Sequence, residues 1–169
     1  MEEVILVDRN DTPTGTEEKI KAHELALLHR AFSVFIFNKN GELMLQQRAL
    51  HKYHSPGLWT NTCCSHPRPG EETMDAAHRR LREEMGFDCE LQWKFSFIYK
   101  APFDNGLTEH EFDHVFFGTY DNKPVINRDE VESWKWIKMG DLLTDVKKNP
   151  DNYTVWFRIA LEKLFPENL

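Results

Sequence analysis

The chain has 169 residues, of which 40% are hydrophobic and 29% are charged, and its formal net charge is −7. This length and composition are typical of one globular domain that encloses a pocket without disulfide bonds, so we expect a single domain over residues 1–169. The negative charge argues against general affinity for nucleic acid or anionic lipid, although a few basic residues can still surround one phosphate group.

The N-terminal segment does not have the pattern of a targeting signal. Residues 1–8 are acidic and only briefly apolar, and no run in the chain approaches the length of a membrane span. Two of the three cysteines are adjacent, Cys63 and Cys64, which favours a reducing compartment where free thiols persist. We therefore expect a cytoplasmic protein with no membrane association and no obligate protein partner.

The first half of the chain predicts short strands around one helix. In order, we expect a strand at residues 4–7, a turn at 12–15, a helix within 17–28, and strands at 32–37 and 42–47. The strand at 32–37 is apolar at every position but one, which is typical of a strand buried on both faces. Asn40-Gly41 provides the hairpin turn into the strand that follows.

The second half predicts longer elements. In order, we expect a strand at residues 59–66, a helix at 73–85, strands at 90–103, 107–120 and 134–137, a short helix from 139, and a final helix near 153–165. Gly86 lies where a C-terminal cap of the 73–85 helix is expected. Strands in the middle with helices on the flanks predict an α+β domain with a mixed β-sheet.

Two of these strands carry reactive side chains at alternate positions. Cys64 and His66 are two residues apart, and so are Glu109 and Glu111. Because alternate residues of a strand point to the same face, each pair is expected to share a surface. A thiol, an imidazole and paired carboxylates indicate a metal-supported acid–base site.

Several separated motifs resemble one enzyme family. They are Thr60-Asn61, Cys64-Ser-His-Pro67, Gly106-Leu-Thr-Glu-His-Glu111 and the helix end from Arg79 to Gly86. Their order and approximate spacing resemble the type I isopentenyl-diphosphate isomerases, a family within the Nudix fold. The resemblance implies a Nudix-like mixed β-sheet core flanked by α-helices. It also implies isomerisation of isopentenyl diphosphate to dimethylallyl diphosphate in isoprenoid biosynthesis, by proton addition and removal through a tertiary carbocation.

The helix end differs from the pattern of Nudix hydrolases, which generally carry Glu where this chain has Arg80 and Gly where it has Ser65. A cation at position 80 leaves Glu84 with fewer carboxylates for gathering magnesium, so metal-assisted hydrolysis is the weaker interpretation. A catalytically silent metal-binding or interaction module with the same fold is a further alternative.

Arg80 and Glu84 also fit an ordinary intrahelical ion pair. The resemblance implies instead that Glu84 holds a Mg²⁺ bridging the substrate diphosphate and that Arg80 contacts this anion.

A second metal site is expected from five residues, namely His23, His29, His66, Glu109 and Glu111. His23 and His29 would lie about 240° apart on one regular helix, so we expect the helix to end between them and a strand to begin at His29. Such ligands suit Zn²⁺, Mn²⁺ or Mg²⁺, with the nitrogen donors favouring the first two. Each histidine alone is more often an ordinary residue, and the joint pattern favours the metal.

The resemblance assigns the proton transfers to three residues: Glu111 with Tyr99 handles protonation, and Cys64 handles the proton at the other carbon. Cys64 alone would more often be a buried structural cysteine. Next to a divalent cation and an arginine, its pKa is expected to fall from about 8.5, which makes a thiolate available as a base. Trp156 matches the family's aromatic residue over the hydrocarbon, where an indole face attracts a cation. The alternative for Trp156 is a core position.

The resemblance also implies a set of diphosphate-binding residues, which are Lys19, Arg48, Lys52 and Arg80, since such groups pair with phosphate oxygens. Lys21 and Glu83 are expected in solvent, and Cys63 and Cys89 are interpreted as packing residues. The histidines without a partner pattern are interpreted as structural; these are His51, His54, His78, His110 and His114.

Overall fold

The computed structural model describes residues 2–167, so residues 1, 168 and 169 of the expected domain lie outside the described part. The strands are β1 Glu3–Val7, β2 Pro13–Glu18, β3 His29–Phe37, β4 Leu43–Arg48, β5 Trp59–Thr60, β6 Cys63–Ser65, β7 Leu91–Pro102, β8 Thr108–Thr119 and β9 Val131–Ile137. The helices are α1 Lys19–Glu24, α2 Thr73–Met85, α3 Met139–Lys148 and α4 Val155–Leu164, with a 3-10 turn at Pro150–Asn152. No helix within the described residues is long and apolar enough to cross a membrane.

Strand β3 is the centre of a mixed sheet. It runs parallel to β8 over its whole length, and β8 pairs antiparallel with β7. The register places His29 beside Glu111 and Glu111 beside Tyr99, so these three residues form one row across the sheet. Strands β1 and β6 are antiparallel neighbours of β3, and β4 joins it at one residue pair before pairing with β5 and β9. The predicted α+β class with a mixed sheet is confirmed.

Both faces of β3 are buried, as predicted from its apolar run. Phe35 packs into a core cluster that includes residues of α3 and α4, whereas Val34 and Ile36 pack into a second cluster with α2. Since side chains alternate along a strand, one apolar run supplies two cores. Helices therefore cover the sheet on both sides, and the cavity described below opens beside β3.

The predicted strand at 59–66 is broken in the middle. The Asn61 amide donates to the carbonyl oxygens of Val34 and Cys63 at 3.1 and 2.8 Å, and the Thr62 hydroxyl donates to Met44 at 2.6 Å. These side-chain bonds replace the regular ladder and separate β5 from β6. Cys64 and His66 still face the same cavity, because β6 and the residue after it keep the alternation.

The predicted turn at residues 12–15 is also displaced. The carboxylate of Asp8 accepts from the backbone N–H groups of Asn10 and Thr12, which turns the chain at residues 8–12. Residues 13–18 are then free to form β2, and the helix that follows contains only six residues. The helix ends at Glu24 and the next strand begins at His29, as expected for two histidines that come from different elements.

Replacing Gly86 by alanine is expected to destabilise the fold by about 3 kcal/mol, from left-handed backbone strain and overpacking. Gly86 caps α2 with a φ of 71°, and a Cβ there would overlap the carbonyl oxygen and side chain of Val125. Urea unfolding measures the change. Gly140→Ala in α3 is the control, because nothing lies within 4 Å of its added Cβ. Equal stabilities of the two variants would contradict this account of the cap.

Candidate active site

One cavity of about 110 Å³ brings together most of the predicted site residues. Its walls include Cys64, Glu111, Tyr99, Trp156, His66, Glu109, Glu84, Lys19, Arg48, Lys52 and Arg80. His23 and His29 are not in its wall; they are fully buried and contact the two carboxylates Glu109 and Glu111. Residues from the first and last helices of the chain thus meet at one cavity beside β3.

The row His29–Glu111–Tyr99 places a carboxylate between an imidazole and a phenol. The Tyr99 hydroxyl donates to Oε1 of Glu111, and Nε2 of His66 lies 2.6 Å from Oε2. Burial and the neighbouring carboxylate of Glu111 raise the pKa of Tyr99 well above its usual value. Tyr99 is therefore a neutral hydrogen-bond donor that holds Glu111 in place.

Four of the five predicted metal ligands form one compact group. Ligand atoms of His23, His29, His66 and Glu109 all lie within 4.8 Å of one another. Nε2 of His23 is 2.5 Å from Oε1 of Glu109, and Nε2 of His29 is 3.8 Å from Oε2. Glu111 is outside this group and instead contacts His29 at 3.3 Å, together with His66 and Tyr99.

The hydrogen bonds on the far side of two imidazoles fit a cation at the centre of this group. Nδ1 of His23 and Nδ1 of His29 lie 2.6 and 2.9 Å from the backbone oxygens of Lys19 and Leu27, which take up the ring N–H of each. Nε2 of each ring therefore faces carboxylate oxygens. A nitrogen lone pair and a carboxylate oxygen at such distances need a positive charge between them, which a bound cation or a proton on Nε2 supplies.

Two buried atoms support the same conclusion. Nε2 of His29 and Oε2 of Glu109 have no hydrogen-bond partner among the described residues. Unpaired polar atoms are costly in a protein interior, and these two face each other. The residues present therefore fit a divalent cation.

The pKa values show what the protein's own groups do at this centre. Burial lowers the pKa of His23, but the hydrogen bond and charge of Glu109 outweigh it and the pKa is raised. His29 behaves in the same way beside Glu111. Although burial opposes ionisation of Glu109, its imidazole partners hold its pKa well below the usual value. The centre thus holds Glu109 as a carboxylate and attracts positive charge.

The protein's own groups do not produce the expected fall in the pKa of Cys64. Burial raises the pKa of the thiol, Arg48 opposes this, and the carboxylates Glu84 and Glu111 raise the pKa further. Burial has the largest effect, and the spacing of residues in the sequence does not reveal it. These groups therefore favour the neutral thiol.

Each predicted diphosphate-binding cation has a partner at the cavity. Lys19 pairs with Glu2 at 2.7 Å, Lys52 pairs with Glu130, and Arg80 lies 3.6 Å from Glu84 and 3.5 Å from Glu130. The guanidinium carbon of Arg48 lies 5.2 Å from the ring centre of Trp156. The intrahelical Arg80–Glu84 pair is thus present, and both of its members line the cavity as well.

Trp156 lies on α4 with 4% of its surface exposed, and it belongs to the core cluster while one part of it lines the cavity. Its two interpretations, as a core residue and as a cavity residue, therefore both describe its position. Its Nε1 has no hydrogen-bond partner among the described residues.

Four other expectations can be compared directly with the structure. Lys21 is exposed, as expected, with 57% of its side chain accessible. Glu83 is not simply solvated, because Arg79 and Arg80 lie 2.9 and 3.5 Å from its carboxylate. Cys63 is fully buried and donates its thiol proton to Glu84 at 2.8 Å, so it is more than a packing residue. Cys89 lies outside the cavity.

Sequence reasoning missed several residues that line the cavity, and three of them carry titratable groups that contact predicted site residues: His54, Glu2 and Glu130. His54 was interpreted as structural, yet its Nε2 lies 3.0 Å from Oε1 of Glu109. Burial lowers the pKa of His54 despite this contact with Glu109. None of the three follows a spacing pattern, because each reaches the cavity through the tertiary fold. The only available signal for Glu2 and Glu130 was that the four predicted diphosphate-binding cations need negative partners in the free protein.

Comparison with known sequences gives concordant results. Residues 27–157 match the NUDIX domain family. The chain is 55% identical over 163 residues to "Isopentenyl-diphosphate Delta-isomerase 2" of Aromatoleum aromaticum, covering 96% of this chain and 86% of the relative. It is 52% identical over 162 residues to "Isopentenyl-diphosphate Delta-isomerase" of Pectobacterium atrosepticum, covering 96% and 90%.

Solved structures agree at the level of the fold. DR0079 of Deinococcus radiodurans superposes with a TM-score of 0.73 at 22% identity, covering 88% of this chain and 90% of that chain. A MutT protein of Methanosarcina mazei superposes with a TM-score of 0.65 at 19% identity, covering 83% and 95%. These matches confirm the predicted Nudix-like core. Together, the NUDIX match and the histidine–carboxylate group support binding of a divalent metal ion.

Proposed function

The chain belongs to the type I isopentenyl-diphosphate isomerases of the Nudix superfamily, and on this basis we propose that it interconverts isopentenyl and dimethylallyl diphosphate. The observation that carries the proposal is the shared cavity, which is lined by Cys64, Glu111, Trp156 and four basic side chains. Cys64 and Glu111 transfer protons, the ring of Trp156 faces the hydrocarbon, and the basic side chains bind the anion. The substrate is a small prenyl diphosphate.

Two divalent ions complete the site in this proposal. One, Mn²⁺, Zn²⁺ or Mg²⁺, is held by His23, His29, His66, Glu109 and Glu111, and a Mg²⁺ bound with the diphosphate is held by Glu84. When bound, such ions supply positive charge that orders the carboxylates and offsets the charge of the diphosphate.

The proton transfers need two groups that serve different carbons of the alkene. In the forward direction, Glu111 with Tyr99 adds a proton to the terminal carbon, and the alkene electron pair forms the new C–H bond. A tertiary carbocation results. Cys64, as thiolate, then removes a proton from the neighbouring carbon, and the electrons of that C–H bond form the new double bond. Holding both groups around one bound alkene makes this step efficient.

The pair carries one transferable proton between its two members. Burial raises the pKa of Cys64 and so favours the proton on sulfur. After the forward reaction, Cys64 holds the proton that it removed and Glu111 has lost the proton that it delivered. Before the next forward turnover, the pair exchanges with solvent through the cavity mouth, so that Glu111 gains a proton and Cys64 loses one.

Trp156 stabilises the charge that develops on the hydrocarbon. An indole face attracts a desolvated cation by about 2 kcal/mol or more. Because the attraction grows as the carbocation forms, it lowers the barrier rather than only binding the substrate. The burial of Trp156 also keeps water away from the cation, which water would trap.

The diphosphate is bound by exchange of ion-pair partners. In the free protein, Glu2 and Glu130 neutralise Lys19, Lys52 and Arg80. An incoming diphosphate offers these cations several more charged oxygens than the carboxylates do. The substrate therefore displaces the two carboxylates and becomes anchored at the mouth of the cavity.

Arg80→Gln is expected to raise KM for isopentenyl diphosphate by about 10- to 100-fold, because a charge-assisted hydrogen bond contributes about 1.5–3 kcal/mol. Steady-state kinetics measure the change. Arg82→Gln on the same helix is the matched control, since Arg82 is more than half exposed and pairs with Asp88 outside the cavity. An unchanged KM in Arg80→Gln would remove Arg80 from the anion site.

Incubation with isopentenyl diphosphate tests the function itself. The proposal expects dimethylallyl diphosphate as product without release of phosphate. Release of phosphate would identify a hydrolase, the interpretation that Arg80 weakens. An unchanged substrate in the presence of Mg²⁺ and Zn²⁺ or Mn²⁺ would identify a silent binding module. NMR of the products separates the three outcomes.

We also propose that the chain works as one domain over residues 1–169, in the cytoplasm and without an obligate protein partner. All three cysteines are free in the structure, which suits a reducing compartment. Size-exclusion chromatography of the active protein tests the independence from partners.

A further inference from the structure

We propose that His54 is a positioning residue, whose Nε2–H holds Oε1 of the Glu109 carboxylate so that its second oxygen faces His29, a predicted metal ligand. His54 lies in the connection between β4 and β5, and 6% of its surface is exposed. Its Nε2 is 3.0 Å from Oε1 of Glu109. The other oxygen, Oε2, has no hydrogen-bond partner among the described residues and lies 3.8 Å from His29.

The proton on Nε2 of His54 is placed by Glu109. An ionised carboxylate only accepts hydrogen bonds, so the nitrogen that lies 3.0 Å from Oε1 carries a proton. Nδ1 lies 3.3 Å from the hydroxyl oxygen of Ser55, a group that can accept or donate. His54 is thus a donor to a carboxylate, which is the role that outer partners of metal ligands take.

Packing fixes the ring in this position. The ring of Phe103 stacks on it with centres 4.7 Å apart and planes 6° apart. The rings of Tyr53 and Trp156 meet it edge-on, with centres 4.5 and 5.7 Å away. The backbone oxygen of His54 also accepts from Arg48 at 3.2 Å. A donor clamped in this way limits the rotation of the Glu109 carboxylate.

The position of His54 also links two parts of the site. One edge of the ring contacts Glu109 in the histidine–carboxylate group, and another part contacts Trp156 beside the hydrocarbon cavity. His54 therefore sets the orientation of a metal ligand relative to the indole. The contact with Glu109 stands on geometry alone, whereas the consequence for the indole rests on the proposed isomerase function.

Loss of the donor is expected to weaken metal binding without unfolding the protein. Outer partners of metal ligands typically contribute about 10- to 100-fold in metal affinity. His54→Asn removes the donor, because its shorter amide ends near the position of Nδ1. His54→Gln keeps it, because its amide nitrogen reaches the position of Nε2. His54→Phe keeps the flat ring and removes the donor.

The test measures Zn²⁺ affinity by competition with a chelator, with circular dichroism and thermal unfolding of the metal-free proteins alongside. We expect His54→Asn and His54→Phe to bind Zn²⁺ about 10- to 100-fold more weakly than the unmodified chain. His54→Gln should recover most of the affinity, and His51→Gln, an exposed neighbour, should leave it unchanged. This pattern would support a donor role, because a packing role would favour Phe over Gln.

Two results would overturn the proposal. One is unchanged Zn²⁺ affinity in His54→Asn, and the other is a loss in His54→Gln as large as in His54→Asn. Should His54→Phe fail to fold, the Asn and Gln pair still decides the question. Because Zn²⁺ binding is measured without isopentenyl diphosphate, a negative result leaves the isomerase assay standing, and a failed isomerase assay leaves the role of His54 standing.

Discussion

Cys64→Ala is expected to lower kcat for isopentenyl diphosphate by about 100- to 10,000-fold, the range contributed by a positioned acid–base group. Cys64 lines the cavity, and the methyl group of alanine cannot accept or return a proton. The site keeps its other groups, so KM should change little. The loss should therefore appear in kcat, measured by steady-state kinetics with NMR detection of dimethylallyl diphosphate.

The fold should survive this substitution, because Cys64 packs at the edge of the core cluster beside the cavity and alanine removes only one sulfur atom there. Thermal unfolding and circular dichroism would establish this. Cys89→Ala is the matched control, since Cys89 is a partly buried cysteine outside the cavity and should retain normal kcat. A Cys64→Ala variant with kcat within tenfold of the unmodified chain would remove the thiol from the mechanism.

Glu111→Gln is expected to cause a loss of similar size, about 100- to 10,000-fold in kcat. The amide has the shape of the carboxyl group but can neither deliver a proton to the terminal carbon nor recover it. The substitution also replaces the carboxylate that His66 and Tyr99 contact by a neutral amide. Rapid-quench measurement of a single turnover would show the loss in the chemical step itself.

Tyr99→Phe provides a graded comparison, because it keeps the carboxylate and removes only the hydroxyl that donates to it. Its loss should be smaller than that of Glu111→Gln. Asp104→Asn, at the exposed turn of the same β7–β8 hairpin, should leave kcat unchanged. Normal turnover in Glu111→Gln would assign the protonation to another group.

Local sequence patterns predicted much of the fold. The helix at 73–85 was predicted with the bounds it has, because apolar spacing and a capping glycine act within one element. The strand at 59–66 was predicted as continuous, because period-two alternation cannot show that Asn61 and Thr62 bond to the neighbouring strands β3 and β4. Patterns within one segment thus predicted the helices and strands, but they did not predict the break that contacts with other strands make in a strand.

The candidate site was predicted where spacing and resemblance agreed. Alternation placed Cys64 with His66, and the expected break after His23 allowed His29 to approach from a strand. The protein's own groups raise the pKa of Cys64, mainly through burial, which is a property of the whole fold and not of residue spacing. His54 was missed for a similar reason, since only the folded β4–β5 connection brings it to Glu109.

Reaction in deuterated water tests most directly whether Glu111 and Cys64 carry the transferred protons. Both groups exchange with solvent between turnovers, so early product should contain about one solvent deuterium, in a methyl group of dimethylallyl diphosphate. NMR and mass spectrometry locate and count the label. Dimethylallyl diphosphate formed without solvent deuterium would mean that hydrogen moves within the substrate, and it would contradict the account.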